Sequence, residues 1–160
     1  MPKTFSAILA GGLIAGTIDI VVAVAIYHAS PVTVLHAIAS GLLGKASYSG
    51  GFVAALLGLL LQWAMSLIIA AIFVLASLRL AVLSRRWLVM GLAYGVAIYA
   101  VMSFVVVPLS AAYPKTPPAP LHDGPQILAM LLFGVIISWC ARRFGDLAAP
   151  AAGLSVASAP

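Results

Sequence analysis

Residues 4–27, 50–77 and 87–109 each run for more than twenty positions, and one charged side chain, Asp19, interrupts all three together. A helix of about 20 apolar residues spans the hydrocarbon core of a bilayer, so each run is long enough to cross it. A fourth run, Pro125 to Ala141, extended back to Leu121, sits at the lower end of that range. The chain is 64% hydrophobic and 7% charged, whereas soluble domains carry roughly a quarter charged residues. The expected fold is therefore all-α integral membrane: a four-transmembrane-helix bundle in one domain, residues 1–145, with helices at about 4–27, 50–77, 87–109 and 121–141. The first run contains Ala23-Val24-Ala25, which resembles a signal-peptide cleavage site. Its length and Asp19 set it apart from a secretory h-region of about 7 to 15 residues, so it is read as a retained helix.

Orientation follows from the basic residues, which are retained on the cytoplasmic side. Lys3, Arg79, Arg85, Arg86, Arg142 and Arg143 fall on one side of the four runs; Lys45 and Lys115 fall on the other. The expected placement is the inner membrane, multi-pass, with both termini in the cytoplasm. Trp87 directly follows Arg85-Arg86, where an interfacial aromatic anchors a span at the headgroups. The net charge of +5 is spread between apolar runs and forms no clustered basic face, which speaks against a nucleic-acid partner.

Between the first two spans, Ser30-Pro31 supplies an N-cap followed by proline at the first helical position. The spacing predicts a helix over about 31–47. Thr33, His36, Ser40, Gly44 and Ser47 fall on one face and Val34, Leu35, Ile38, Leu42 and Ala46 on the other, the pattern of an amphipathic helix lying at the outer interface with its polar stripe wet. The proline-rich segment 114–120 reads as an extended outer spacer. Residues 146–160 read as a disordered cytoplasmic tail. Gly12 to Gly16 echoes Gly91 to Gly95, and Gly58, Gln62 and Trp63 echo Gly134, Ser138 and Trp139. A duplicated hairpin and the ordinary recurrence of small residues at helix contacts both account for this.

Asp19 is the most informative residue, because an ionisable side chain inside a span is costly and faces the bundle interior. A four-residue stripe on the second span, Ala54, Gly58, Gln62, Ser66 and Ala70, and another on the third, Gly91, Gly95, Tyr99 and Ser103, bring Gln62 and Tyr99 to the same depth. Asp19, Gln62 and Tyr99 thus form a candidate intramembrane polar cluster. As helix glue, a neutral Asp19 hydrogen-bonds Gln62 or Tyr99; as a proton or cation relay, it changes protonation state. Gly12, Gly16, Gly58, Gly91 and Gly95 are the candidate helix-packing positions. Arg85, Arg86, Arg142 and Arg143 are candidate contacts for lipid headgroups.

His28, His36 and His122 share the outer side without the ligand count of a zinc site, and Cys140 has no metal-ligand spacing around it, so no metal and no cofactor are assigned. No catalytic motif is present and no enzyme is expected. Gly12 to Asp19, the run Ile38-Ala39-Ser40-Gly41-Leu42-Leu43-Gly44-Lys45, and Val105-Val106-Val107-Pro108-Leu109-Ser110 together resemble a group of small uncharacterised bacterial inner-membrane proteins over most of residues 5–143. More distantly the hydropathy pattern is similar to YagU-like membrane proteins, whose long soluble loop is missing here. Neither resemblance implies an activity. The expected role is an accessory or structural membrane protein whose partners are membrane lipids and either a second copy of the chain or another membrane protein. The alternatives are a proton- or cation-coupled carrier or channel component centred on Asp19, and a haem- or quinone-binding membrane subunit.

Overall fold

The structure, a computed structural model, describes residues 3–114 and 124–144, and every element among them is helical. Four helices are long and apolar enough to cross a membrane. They are α1 (Lys3–Tyr27), α3 (Gly51–Arg79), the rod Trp87–Leu109 and α7 (Gly124–Phe144). The rod consists of α5 (Trp87–Val101), a π-helical turn (Met102–Val106) and α6 (Val107–Leu109). Between α1 and α3 lie α2 (Pro31–Leu43) and a 3-10 segment (Gly44–Ser49), and the five-residue α4 (Ala81–Arg85) links α3 to α5. Asp123, His122, Lys115, Asp146 and the tail read from sequence lie outside the described residues.

The helix boundaries follow local chemistry. α1 ends where His28 takes a left-handed φ of 48°, a conformation that closes a helix and reverses the chain. Ser30 then caps α2: its Oγ accepts the Thr33 backbone N–H at 3.1 Å, and Pro31 occupies the first turn, where its missing N–H costs nothing. Gly44, at φ 59°, ends α2 and returns its N–H to the Ser40 carbonyl. The π turn just precedes Pro108, which lacks the N–H that an α-register bond to Phe104 would require.

α1 packs between α3 and α7, and α7 packs between α1 and α5. The contacts are made by small residues, as expected where lipid supplies no hydrophobic drive and close backbone approach must hold helices together. Gly12 lies against Leu67 and Gly16 against Ser66, joining α1 to α3; Gly11 lies against Cys140 of α7. Gly91 and Gly95 of α5 lie against α7 at Ser138 and Met130, with Gly134 pressed back onto both glycines. α3 and α5 meet through side chains: the Tyr94 hydroxyl donates to the Ile69 carbonyl at 2.8 Å, and its ring packs on Phe73. Large apolar side chains face outward while several serines are buried. Phe52, Val53 and Leu128 are largely exposed while Ser40, Ser66, Ser77 and Ser138 are buried, the distribution that suits a hydrocarbon surround.

One sequence expectation is corrected here. The polar stripe of α2 is wet at Thr33 only, and its far half is covered. Ser40 and Ser47 are buried and Leu42 and Leu43 are exposed, because the chain leaving α6 folds over that face. The Ala111 N–H donates to the Gly41 carbonyl at 2.9 Å, and the Tyr113 N–H donates to Ser40 Oγ at 3.2 Å. The other side of α2 presses Leu35 onto Gly58 of α3. That contact also bears on the echo between the two hairpins. Gly58 and Gly134, matched in sequence, face different elements, α2 in one case and α5 in the other. Gly12 and Gly16 on α3, and Gly91 and Gly95 on α7, occupy matching places in the two hairpins, so the likeness of packing holds for one pair of glycines and not for the other.

Candidate functional site

The site grows out of the α1–α3 contact. The two helices run antiparallel, and Gly16 sits directly on Ser66. One turn further along, where α1 has advanced to Asp19 and α3 has receded to Gln62, the side chains meet: Gln62 Nε2 donates to Asp19 Oδ2 at 2.8 Å. A side chain larger than hydrogen at Gly16 would collide with Ser66 and separate the pair. Trp63 Nε1 donates to Thr17 Oγ1 at 3.3 Å on the adjacent face, clamping the same crossing a second time.

Asp19 and Gln62 border a cavity of about 460 Å³, in which Tyr99 forms part of the wall from α5. The three residues of the sequence-derived cluster therefore share one site, with the bond made between Asp19 and Gln62 and the buried Tyr99 ring beside them. Val34, Ala37 and Ile38 of α2 line the cavity toward one end of the bundle, and Met102 and Ser103 of the π turn border it on the side. At its rim the Tyr27 hydroxyl donates to Gln126 Oε1 at 3.2 Å, linking α1 to α7. Tyr27 and Thr33 are exposed and line the cavity, so its mouth opens at the α1–α2 turn. Beyond Asp19 in the opposite direction α1 closes on α3 and α7 through the Gly16–Ser66, Gly12–Leu67 and Gly11–Cys140 contacts.

Among the described lining residues there is no Lys, Arg or His, and Asp19 is the one carboxyl. The remaining polar groups are the hydroxyls of Tyr27, Thr33, Tyr99 and Ser103 and the amides of Gln62 and Gln126; the rest of the wall is aliphatic or Met. Oxygen acceptors around one carboxyl group, with two tyrosine rings, are a chemistry for holding positive charge or hydrogen-bond donors. Tyr27 and Gln126 were not singled out from sequence, because polar residues at helix ends are ordinary, and Thr33 was read only as part of the α2 polar stripe. The Val107-Pro108 exit was the available signal for the π turn.

All five packing glycines are buried at contacts: Gly12, Gly16, Gly58, Gly91 and Gly95. Arg85, Arg86, Arg142 and Arg143 are exposed at the opposite end of the bundle from the cavity mouth. There the Arg142 guanidinium stands 5.8 Å from the centre of the Trp87 ring, so the basic positions from the α4–α5 link and from the end of α7 converge. His36 Nε2 is 2.9 Å from the Gly51 carbonyl oxygen and does not line the cavity. Among the described residues no group of three or more His, Cys, Asp or Glu side chains is placed to hold a metal ion. No family model, no curated protein and no solved structure matches the chain.

Proposed function

We propose that this chain is a small polytopic inner-membrane protein, N-in and C-in, that admits a monovalent cation or protonated amine from the outer side into the cavity bordered by Asp19. The observation that carries this reading is the Asp19–Gln62 pair standing beside a cavity with an exposed mouth. A carboxyl group that only locks two helices together needs no space beside it, and well-packed interiors leave few voids larger than a water molecule. A cation provides the compensation that a carboxylate in hydrocarbon requires. Gln62 holds one carboxyl oxygen in place by its hydrogen bond, and the Tyr27 and Tyr99 rings offer π faces to an organic cation. The volume, about 460 Å³, falls in the range of small-molecule sites.

The close α1–α3 and α1–α7 contacts on the far side of Asp19 favour one state of a carrier, or a binding subunit, over an open channel. The accessory reading retains support from the glycine contacts that hold α1 to α3 and α7, and α5 to α7. A haem or quinone subunit gains no donor from His36, which is engaged with the backbone outside the cavity. α2 belongs to the outer end as the element over the cavity, with its exposed Val32 and Leu42 toward lipid headgroups.

The test is calorimetric titration of small monovalent organic and inorganic cations into the full chain in nanodiscs, beside Asp19→Asn. The wild type should bind at least one of them saturably, and the Asn variant should lose that binding while unfolding at the same temperature. Equal binding by both proteins, or none by the wild type across the series, would return the site to a purely structural role.

A further inference from the structure

The end of the bundle opposite the cavity mouth carries a notch of about 400 Å³ lined by Trp87 and Trp139 with Arg142 and Arg143. Two segments far apart in sequence build it: the start of α5 supplies Trp87, and the last turn of α7 supplies the rest. The side chains are set by one another. The Arg142 guanidinium lies over Trp87 at 5.8 Å, Arg143 stands 5.7 Å from the Phe144 ring, and Phe144 meets Trp139 edge to face at 6.2 Å. Both arginines are exposed, and Asp19, the one carboxyl among the described residues, sits at the cavity instead. Arg85 and Arg86, also exposed, immediately precede Trp87 and add positive charge at the same end.

We infer that this notch binds the phosphate of an anionic phospholipid headgroup. A guanidinium held over an aromatic ring keeps its N–H edge free, and that edge matches phosphate oxygens in a planar two-point fashion that an ammonium does not. Indole rings settle at the headgroup level, so Trp87 and Trp139 place the notch where a lipid phosphate lies once the apolar helices are in a bilayer. Basic positions between spans at the cytoplasmic face are suited to such headgroups. The site rests on the reading that the chain spans a membrane. It is independent of what the Asp19 cavity takes up.

The full chain carrying Trp63→Phe retains Trp87 and Trp139 as its fluorophores. It is reconstituted in phosphatidylcholine vesicles containing a minor fraction of brominated phosphatidylglycerol or, in parallel, brominated phosphatidylcholine. The expected result is preferential quenching by the anionic lipid, corresponding to about a fivefold higher relative association for each arginine engaged. Arg142→Gln with Arg143→Gln should bring the ratio to one. Arg142→Lys with Arg143→Lys, which retains the charges that set topology, should keep only part of the preference. Lys45→Gln at the other end should change nothing. Equal quenching by the two lipids, a preference that survives the double Gln substitution, or one abolished by millimolar inorganic phosphate would overturn the assignment. Vesicle flotation separates the two readings: a chain that floats with neither lipid overturns the membrane reading and this site with it, and a chain that floats without lipid preference overturns the site alone.

Discussion

A carboxyl group three residues past Gly16 can reach α3 only because Gly16 lets Ser66 come within van der Waals contact of its backbone. The Asp19–Gln62 bond at 2.8 Å is therefore a product of the glycine as much as of its own two residues. Side-chain hydrogen bonds between membrane helices contribute about 0.6 kcal/mol on average and at most about 1.7. A double-mutant cycle of Asp19→Leu and Gln62→Leu, read by unfolding in detergent, should give a coupling inside that range. A coupling indistinguishable from zero would mean that the bond carries no stability. This pair was legible in the sequence because a charge inside an apolar run stands out and a four-residue stripe pointed Gln62 at it. Tyr27 and Gln126, which meet at the cavity rim, were not legible. Each lies at a helix end where polar side chains are commonplace, and 99 positions separate them.

At the scale of elements, helix lengths could be read directly, and helix faces only through glycine. In lipid both the outside and the inside of a bundle are apolar, so a periodic hydrophobic stripe gives no direction, and small residues mark the contacts instead. That is why Gly91 and Gly95 were legible as packing positions, though α7 as their partner was not, and why the burial of the Ser40 face of α2 was missed: a serine stripe reads as wet until another segment is known to cover it. A pair of substitutions tests the distinction. A Cβ at Gly95 would meet the backbone of Met130 and Leu131, with 2.7 Å to the Leu131 Cα, whereas one at Gly41 would meet nothing within 4 Å. Gly95→Ala should cost about 1 to 3 kcal/mol, the usual penalty for forcing extra volume into a packed contact. Gly41→Ala should be neutral or slightly stabilising, since alanine favours the helix. Thermal midpoints of the two variants in the same detergent decide the matter. The π turn offers a separate test. Pro108→Ala restores a backbone N–H, so an α-register can form through residues 102–106 and rotate Met102 and Ser103 relative to the cavity. This variant should be at least as stable as the wild type and bind cations more weakly. Unchanged binding would show that the π turn does not shape the site.

For the whole molecule, the site and the orientation are linked, since the cavity mouth and the arginines occupy opposite ends of one bundle. If the arginines are retained in the cytoplasm, the mouth faces outward, and a cation attracted by a negative interior reaches Asp19 from the side on which it is supplied. The structure makes the orientation straightforward to measure. Cys140, the single cysteine of the chain, is buried in α7 against Gly11, so its thiol is shielded from aqueous reagents. Lys45 in the 3-10 segment and Arg85 at the end of α4 are both exposed, so a cysteine placed at either is open to labelling. In intact cells Lys45→Cys should react with a membrane-impermeant maleimide, and Arg85→Cys should react only after permeabilisation. The reverse pattern would turn the cavity toward the cytoplasm and make uptake from outside untenable. Labelling of both in intact cells would mean a mixed orientation. In that case the six-to-two division of Lys and Arg between the two sides does not set topology, and the cavity serves both faces of the membrane through two populations of the same fold.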